Sequence, residues 1–87
     1  LEPQKMLMLS EGLNVFRIAL SPKLENKALL DIRIRENTGC SVVAVKRKDE
    51  LIVNPNPEIV LERGDELVLI GSAKSEKMFA EQYPAAS

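Results

Sequence analysis

Alternating apolar and polar positions near the start of the chain predict a β-strand. In the run 13–20, Phe16, Ile18 and Leu20 recur at every second position and share one face of a half-buried strand. Pro22 follows and ends this strand, because proline has no N–H to donate to a sheet. Residues 1–12 show no clear period, and we interpret them as a lead-in segment.

The apolar spacing then changes to the three- and four-residue steps of a helix. The segment 24–34 carries apolar residues that predict one helical face: Leu24, Ala28, Leu29 and Ile32. Gly39 closes the segment, because glycine readily adopts the left-handed backbone that a helix exit commonly needs.

Two further β-rich runs, 40–45 and 51–53, predict a hairpin whose turn is the charged stretch 46–50. The run 66–71 is the most apolar of all, which is typical of a central strand buried on its faces.

A last helix is predicted over 74–82, capped by Ser72 or Ser75, with Met78 and Phe79 facing inward. The order is therefore strand, helix, hairpin, strand, helix. This order predicts an α+β fold with helices packed on a small mixed or antiparallel sheet. We expect one domain over 13–83, followed by a tail over 84–87.

Composition narrows the function classes. The 87 residues carry a formal net charge of −1, without the basic excess that contacts to nucleic-acid phosphates require. Histidine is absent and Cys40 is the single cysteine, which argues against the common nucleophile–base pairs, a zinc set or an internal disulfide. We expect a non-enzymatic cytosolic domain without a cofactor, excised from a longer chain and not inserted into a membrane.

The bend 34–41 is the most promising candidate for a binding site. Arg35 could hold a phosphate with its planar fork, and Ser41 or backbone N–H groups could complete the cradle. The alternative is that Arg35 caps helix carbonyls or pairs with Glu36 or Asp31 in solvent.

Three other features favour structural roles. Lys46, Arg47 and Lys48 are interpreted as a solvated hairpin tip rather than an anion or membrane contact. The acidic group Glu62, Asp65 and Glu66 lacks the alternating ligands of a calcium loop and is interpreted as a turn. We interpret Cys40 as a small buried filler rather than a redox sensor.

The segment from Leu13 to Phe79 resembles the C-terminal regulatory lobe of the RCK/TrkA family, called RCK_C or TrkA-C. The matching motifs follow the family's order and spacing: SPKLENKAL at 21–29, IRENTG at 34–39, SVVAVKR at 41–47, NPNP at 54–57 and LERGDELVLIG at 61–71. Asn26 stands where the family usually has glycine.

The resemblance implies a homodimeric cytosolic domain that regulates a potassium channel or transporter through its parent chain. In part of the family, cyclic di-AMP binds across the dimer interface. The resemblance assigns the phosphates to Arg35, a polar contact to Ser41, and the adenines to apolar residues, namely Leu29, Ile34, Cys40, Val42 and Pro55. Members that bind this ligand often carry Asn where Ser41 stands. The alternative is a purely structural dimerisation lobe whose parent senses its ligand elsewhere.

Overall fold

The computed structural model describes residues 4–8 and 12–85 of the chain, with the side chains of 12–85. Five strands form one antiparallel sheet in the spatial order β1-β2-β5-β3-β4. The strands are β1 Gln4–Met8, β2 Leu13–Ala19, β3 Ser41–Arg47, β4 Glu50–Val53 and β5 Glu66–Ser72. The helices are α1 Leu29–Ile32, α2 Ile34–Thr38 and α3 Ala73–Gln82. The chain is therefore an α+β fold with an antiparallel sheet.

The central position predicted for the apolar run 66–71 is confirmed. β5 pairs with β2 on one side and with β3 on the other, so its backbone is bonded along both edges. Leu67 and Leu69 are fully buried, and they face Ile18 and Phe16 of β2 in the register. β5 therefore forms the centre of the sheet and also supplies two residues of the core.

Strand β1 lies within the segment that the sequence pattern assigned to a lead-in. Its residues pair antiparallel with β2, from Gln4 opposite Arg17 to Met8 opposite Asn14, with a register shift between Lys5 and Leu7. Pairing to an existing strand edge selected this conformation, because the segment has no alternation of its own. Residues 1–3, 9–11, 86 and 87 of the predicted lead-in and tail lie outside the described residues.

The single helix predicted over 24–34 is wrong. Pro22–Leu24 forms one 3₁₀ turn, and the helical residues that follow are divided between α1 and α2. Asn26 has φ 64° and Arg33 has φ 58°, both left-handed.

Backbone bonds to a distant segment explain the first interruption. The Asn26 N–H donates to the Leu61 carbonyl at 2.8 Å, and the Leu61 N–H donates to the Lys27 carbonyl at 2.9 Å. Ala28 forms an antiparallel bridge with Val60. In a continuous helix the Lys27 carbonyl would accept from the Asp31 N–H, whereas here it accepts from Leu61 and Asp31 donates to Ala28.

The hairpin is confirmed, but its turn is shorter than predicted. β3 pairs with β4 from Arg47 opposite Glu50 to Ala44 opposite Val53, so only two residues make the turn. Lys48, the first of the two, has φ 56°. A two-residue turn with positive φ matches the right-handed twist of the flanking strands.

Helix α3 begins after Ser72, whose Oγ accepts a hydrogen bond from the Ser75 N–H at 3.1 Å. Phe79 is buried as predicted and packs edge-on against Phe16, with ring centroids 6.4 Å apart. Met78 is 36% exposed, so its predicted inward position is wrong. Neighbouring residues on a helix point about 100° apart, and here Phe79 faces the sheet while Met78 lies towards solvent.

The buried core lies between the sheet and the helices, and it includes Leu20, Leu24, Ile32, Ile34, Val45 and Leu61 in addition to the residues above. Within the described residues, none of the helices has the length and apolar character needed to cross a bilayer.

Candidate ligand-binding groove

An open groove of about 280 Å³ lies where α1, α2, the start of β3 and the loop 54–57 after β4 meet. All seven residues that the sequence singled out border it: Leu29, Ile34, Arg35, Cys40, Ser41, Val42 and Pro55. Four further residues border it that the sequence did not single out: Leu30, Arg33, Glu36 and Pro57. We refer to this set of residues as the groove.

The groove has a buried apolar floor and an accessible rim. Cys40 is fully buried, Ile34 is 5% exposed, and Pro55 is also buried, so these residues shape the floor. Leu30 is 62% exposed at the rim. An accessible apolar rim above a packed floor can hold a flat ring without any rearrangement of the core.

Local hydrogen bonds hold the two ends of the bend together. The Thr38 hydroxyl donates to the Ile34 carbonyl at 2.8 Å and accepts from the Cys40 N–H at 3.1 Å. Gly39 has φ 84°, and its N–H donates to the Arg35 carbonyl at 2.9 Å, which closes α2. The backbone that carries Arg35 is thereby fixed relative to the start of β3.

The guanidinium of Arg35 is exposed at the groove and makes no ion pair with the carboxylates of residues 12–85. The alternative pairing with Glu36 is wrong in this structure, because Glu36 pairs with Arg33 at 3.5 Å. Asp31 is also absent from the ion pairs of residues 12–85, so it does not pair with Arg35. An arginine fork without a carboxylate partner, beside an apolar rim, is suited to a phosphate group attached to a ring.

The thiol of Cys40 is a part of the floor and not of the reactive surface. Burial raises its pKa, and the nearby Glu76 acts in the same direction, while a hydrogen bond with Thr38 acts in the opposite one. A neutral, buried thiol packs as a small apolar side chain. The interpretation of Cys40 as a filler is therefore supported by its surroundings.

One residue of the predicted solvated tip, Arg47, forms an ion pair with one residue of the predicted acidic turn, the buried Asp65, and the Arg47 side chain is 24% exposed. Asp65 is 2% exposed and receives two bonds from Arg47, at 3.0 Å from Nε and 2.8 Å from Nη2. The prediction that Arg47 is part of a solvated tip is therefore wrong. Across the described residues, no group of three or more acidic or thiol side chains could hold a metal ion.

Comparison with known proteins adds a family to this geometry. The sequence model of the family described as the TrkA-C domain matches residues 14–83. The chain is 30% identical over 71 residues to the Ktr system potassium uptake protein A of Bacillus subtilis. The match covers 82% of this chain and 32% of that protein, so the chain spans about a third of the relative.

Three solved structures share the fold. The RCK domain of GsuK is 40% identical, with a TM-score of 0.76, and the match covers 87% of this chain and 17% of that one. The GsuK channel has also been solved bound to NAD, at 39% identity. The RCK C domain of KtrA in complex with cyclic di-AMP is 32% identical, with a TM-score of 0.75, covering 78% of this chain and 80% of that one.

Proposed function

Because the chain belongs to the TrkA-C domain family, we propose that it is a cytosolic regulatory lobe of a potassium channel or transporter, that it forms a homodimer, and that its groove binds cyclic di-AMP. The groove carries this proposal through Arg35, which meets the groove without a carboxylate partner among residues 12–85. The KtrA domain solved with this dinucleotide matches 78% of the chain, which supports the choice of ligand.

The chemistry of the groove suits one half of a symmetric dinucleotide. Arg35 supplies a fork for one phosphodiester, Ser41 supplies a hydroxyl, and Leu29, Leu30 and Val42 supply apolar contact for one adenine. A second copy related by a two-fold axis would supply the same set for the other half. The ligand would then have its full set of contacts only in the dimer.

Regulation follows from this requirement. A ligand that contacts both copies favours the arrangement in which the two grooves face each other, and the parent protein responds to that shift in population. The chain needs no chemical step for this role.

Isothermal titration with cyclic di-AMP tests the proposal. We expect saturable binding by the wild-type chain, with one dinucleotide per dimer, and an affinity about tenfold lower or worse for Arg35→Ala. Arg63→Ala is the matched control, because Arg63 is an exposed arginine outside the groove and its loss should leave the affinity unchanged. Absence of binding at high micromolar ligand, or equal affinities for Arg35→Ala and wild type, would contradict the proposal.

The second candidate function is a structural dimerisation lobe whose parent senses its ligand elsewhere. The GsuK channel supports this candidate, because it is similar to the chain and has been solved bound to NAD. Sedimentation velocity with and without dinucleotide separates the two candidates. A concentration-dependent dimer that does not respond to cyclic di-AMP favours the structural lobe, and a monomer at every concentration excludes both.

A further inference from the structure

Two arginines two positions apart border the same groove, which a regular helix would not allow. Residues i and i+2 of an α-helix point about 200° apart, so they lie on nearly opposite faces. Arg33 and Arg35 both border the groove because the backbone is broken at Arg33. Arg33 has φ 58° and ψ 50°, and it ends α1 and precedes α2.

The guanidinium of Arg33 has a partner that a ligand can displace. Its Nε lies 3.5 Å from Oε2 of Glu36, and the two side chains are 70% and 54% exposed. Exposed pairs of this kind contribute little free energy, because solvent screens the charges and both side chains must be ordered. An anion in the groove therefore competes with a single weakly held carboxylate.

We propose that Arg33 is a second phosphate-binding side chain of the groove and that Glu36 competes with the ligand for it. The proposal rests on the proposed function in so far as the anion is a dinucleotide phosphate. Arg35 supplies the unpaired positive charge, and Arg33 adds a second one when it exchanges Glu36 for the ligand. Glu36 thereby lowers the affinity of the groove for an anion by holding Arg33.

The backbone at Arg33 provides a variant that removes the guanidinium and spares the fold. A left-handed conformation is unfavourable for a residue with a Cβ and readily available to glycine. Arg33→Gly should therefore keep or raise the melting temperature of the chain. A loss of affinity in this variant cannot be assigned to a loss of folded protein.

The experiment is a titration of wild type, Arg33→Gly and Glu36→Gln with cyclic di-AMP, cyclic di-GMP and pyrophosphate. We expect affinity to fall about two- to fivefold in Arg33→Gly and to rise about two- to fivefold in Glu36→Gln. The controls are Arg63→Ala and Glu81→Gln, which make the same changes in net charge at exposed positions outside the groove. Their affinities should match that of wild type.

The outcomes separate this inference from the proposed function. In one outcome the chain binds pyrophosphate or cyclic di-GMP but not cyclic di-AMP, and the affinity falls in Arg33→Gly and rises in Glu36→Gln. This outcome supports the role of Arg33 and contradicts cyclic di-AMP as the ligand. Wild-type binding that neither groove variant alters, or that the controls alter equally, overturns the inference alone. Binding of none of the three anions by the wild-type chain overturns both.

Discussion

At the scale of single residues, Asp65 is a buried carboxylate that accepts from Arg47 and from the Glu62 N–H. Both of its oxygens accept from Arg47, and Oδ2 also accepts from the Glu62 N–H at 2.8 Å. The same arginine donates to the Val60 carbonyl at 2.8 Å. The pair therefore joins the end of β3 to the segment that leads into β5.

Replacing the carboxylate should destabilise the fold strongly. Asp65→Asn leaves the guanidinium of Arg47 without its main counter-charge, and we expect the free energy of unfolding to fall by about 2 to 4 kcal/mol. Urea denaturation followed by circular dichroism measures this change. Glu62→Gln is the control, because Glu62 is 60% exposed and its loss should cost below about 1 kcal/mol. Equal losses in the two variants would contradict this account.

The same carboxylate predicts how stability depends on pH. Burial opposes ionisation of Asp65, but the bonds from Arg47 and from the Glu62 N–H outweigh it and hold its pKa below the usual value. Because the pKa of Asp65 is lower in the folded state, its ionised carboxylate stabilises the fold fully at pH values above the unfolded-state pKa of about 3.9. This contribution to the free energy of unfolding is lost as the pH falls through the folded-state pKa. Urea denaturation at a series of pH values should therefore show a smaller decrease in the free energy of unfolding at low pH for Asp65→Asn than for the wild-type chain.

The pair also shows why residue contacts were only partly predictable. Asp65 and Arg47 are 18 positions apart, and each has a local interpretation, one as a turn residue and the other as a tip charge. The spacing of residues along the chain does not predict a contact that forms only when two strands pair. Arg35 and Ser41 could be singled out from the sequence because they flank one short bend, whereas the apolar residues of the groove came from the family resemblance.

At the scale of elements, the exit of α2 lies directly against the first turn of α3. A Cβ built on Gly39 would lie 2.6 Å from the Ser75 Oγ, and Gly39 has φ 84°. Ser75 Oγ is also within hydrogen-bonding distance of Ser72 Oγ, at 3.2 Å. The glycine therefore serves both the left-handed exit and the close approach of two helices.

Gly39→Ala should cost more than the backbone conformation alone explains. We expect a loss of about 1.5 to 3 kcal/mol, from the left-handed alanine and from the Ser75 hydroxyl that must rotate away. Gly64→Ala is the matched control, because Gly64 has φ 92° and its added Cβ would meet nothing within 4 Å. Thermal denaturation should give a lower melting temperature for Gly39→Ala than for Gly64→Ala. Adding Ser75→Ala to Gly39→Ala should reduce the difference between the two melting temperatures. Identical melting temperatures would contradict the close approach.

Elements with their own periodicity were predictable, and elements set by neighbours were not. β2, the hairpin, β5 and α3 follow from alternation, turn residues and a cap. The helix break at Arg33 was missed because a positive φ on a residue other than glycine leaves no mark in the apolar spacing. β1 was missed because an edge strand takes its conformation from the strand beside it.

At the scale of the whole molecule, the order of strands in the sheet predicts which backbone amides are best protected from hydrogen exchange. β5 is bonded on both edges, whereas within residues 4–8 and 12–85 β4 pairs only with β3 along its length. Amide hydrogen exchange should therefore be slowest at Leu67 and Leu69 and clearly faster in Glu50–Val53, because edge strands open without global unfolding. Equal protection of β4 and β5 in a dilute sample would contradict this gradient.

The thiol in the buried floor of the groove can also report on the opening of the bend. Cys40 is the single cysteine of the 87 residues, and it is fully buried with a raised pKa. A water-soluble aromatic disulfide can react with this thiol only when the bend opens and the thiol ionises. The exchange forms a mixed disulfide on Cys40 and releases one aromatic thiolate, so the rate of thiolate release reports how readily the bend opens. A ligand that holds the groove closed should lower this rate.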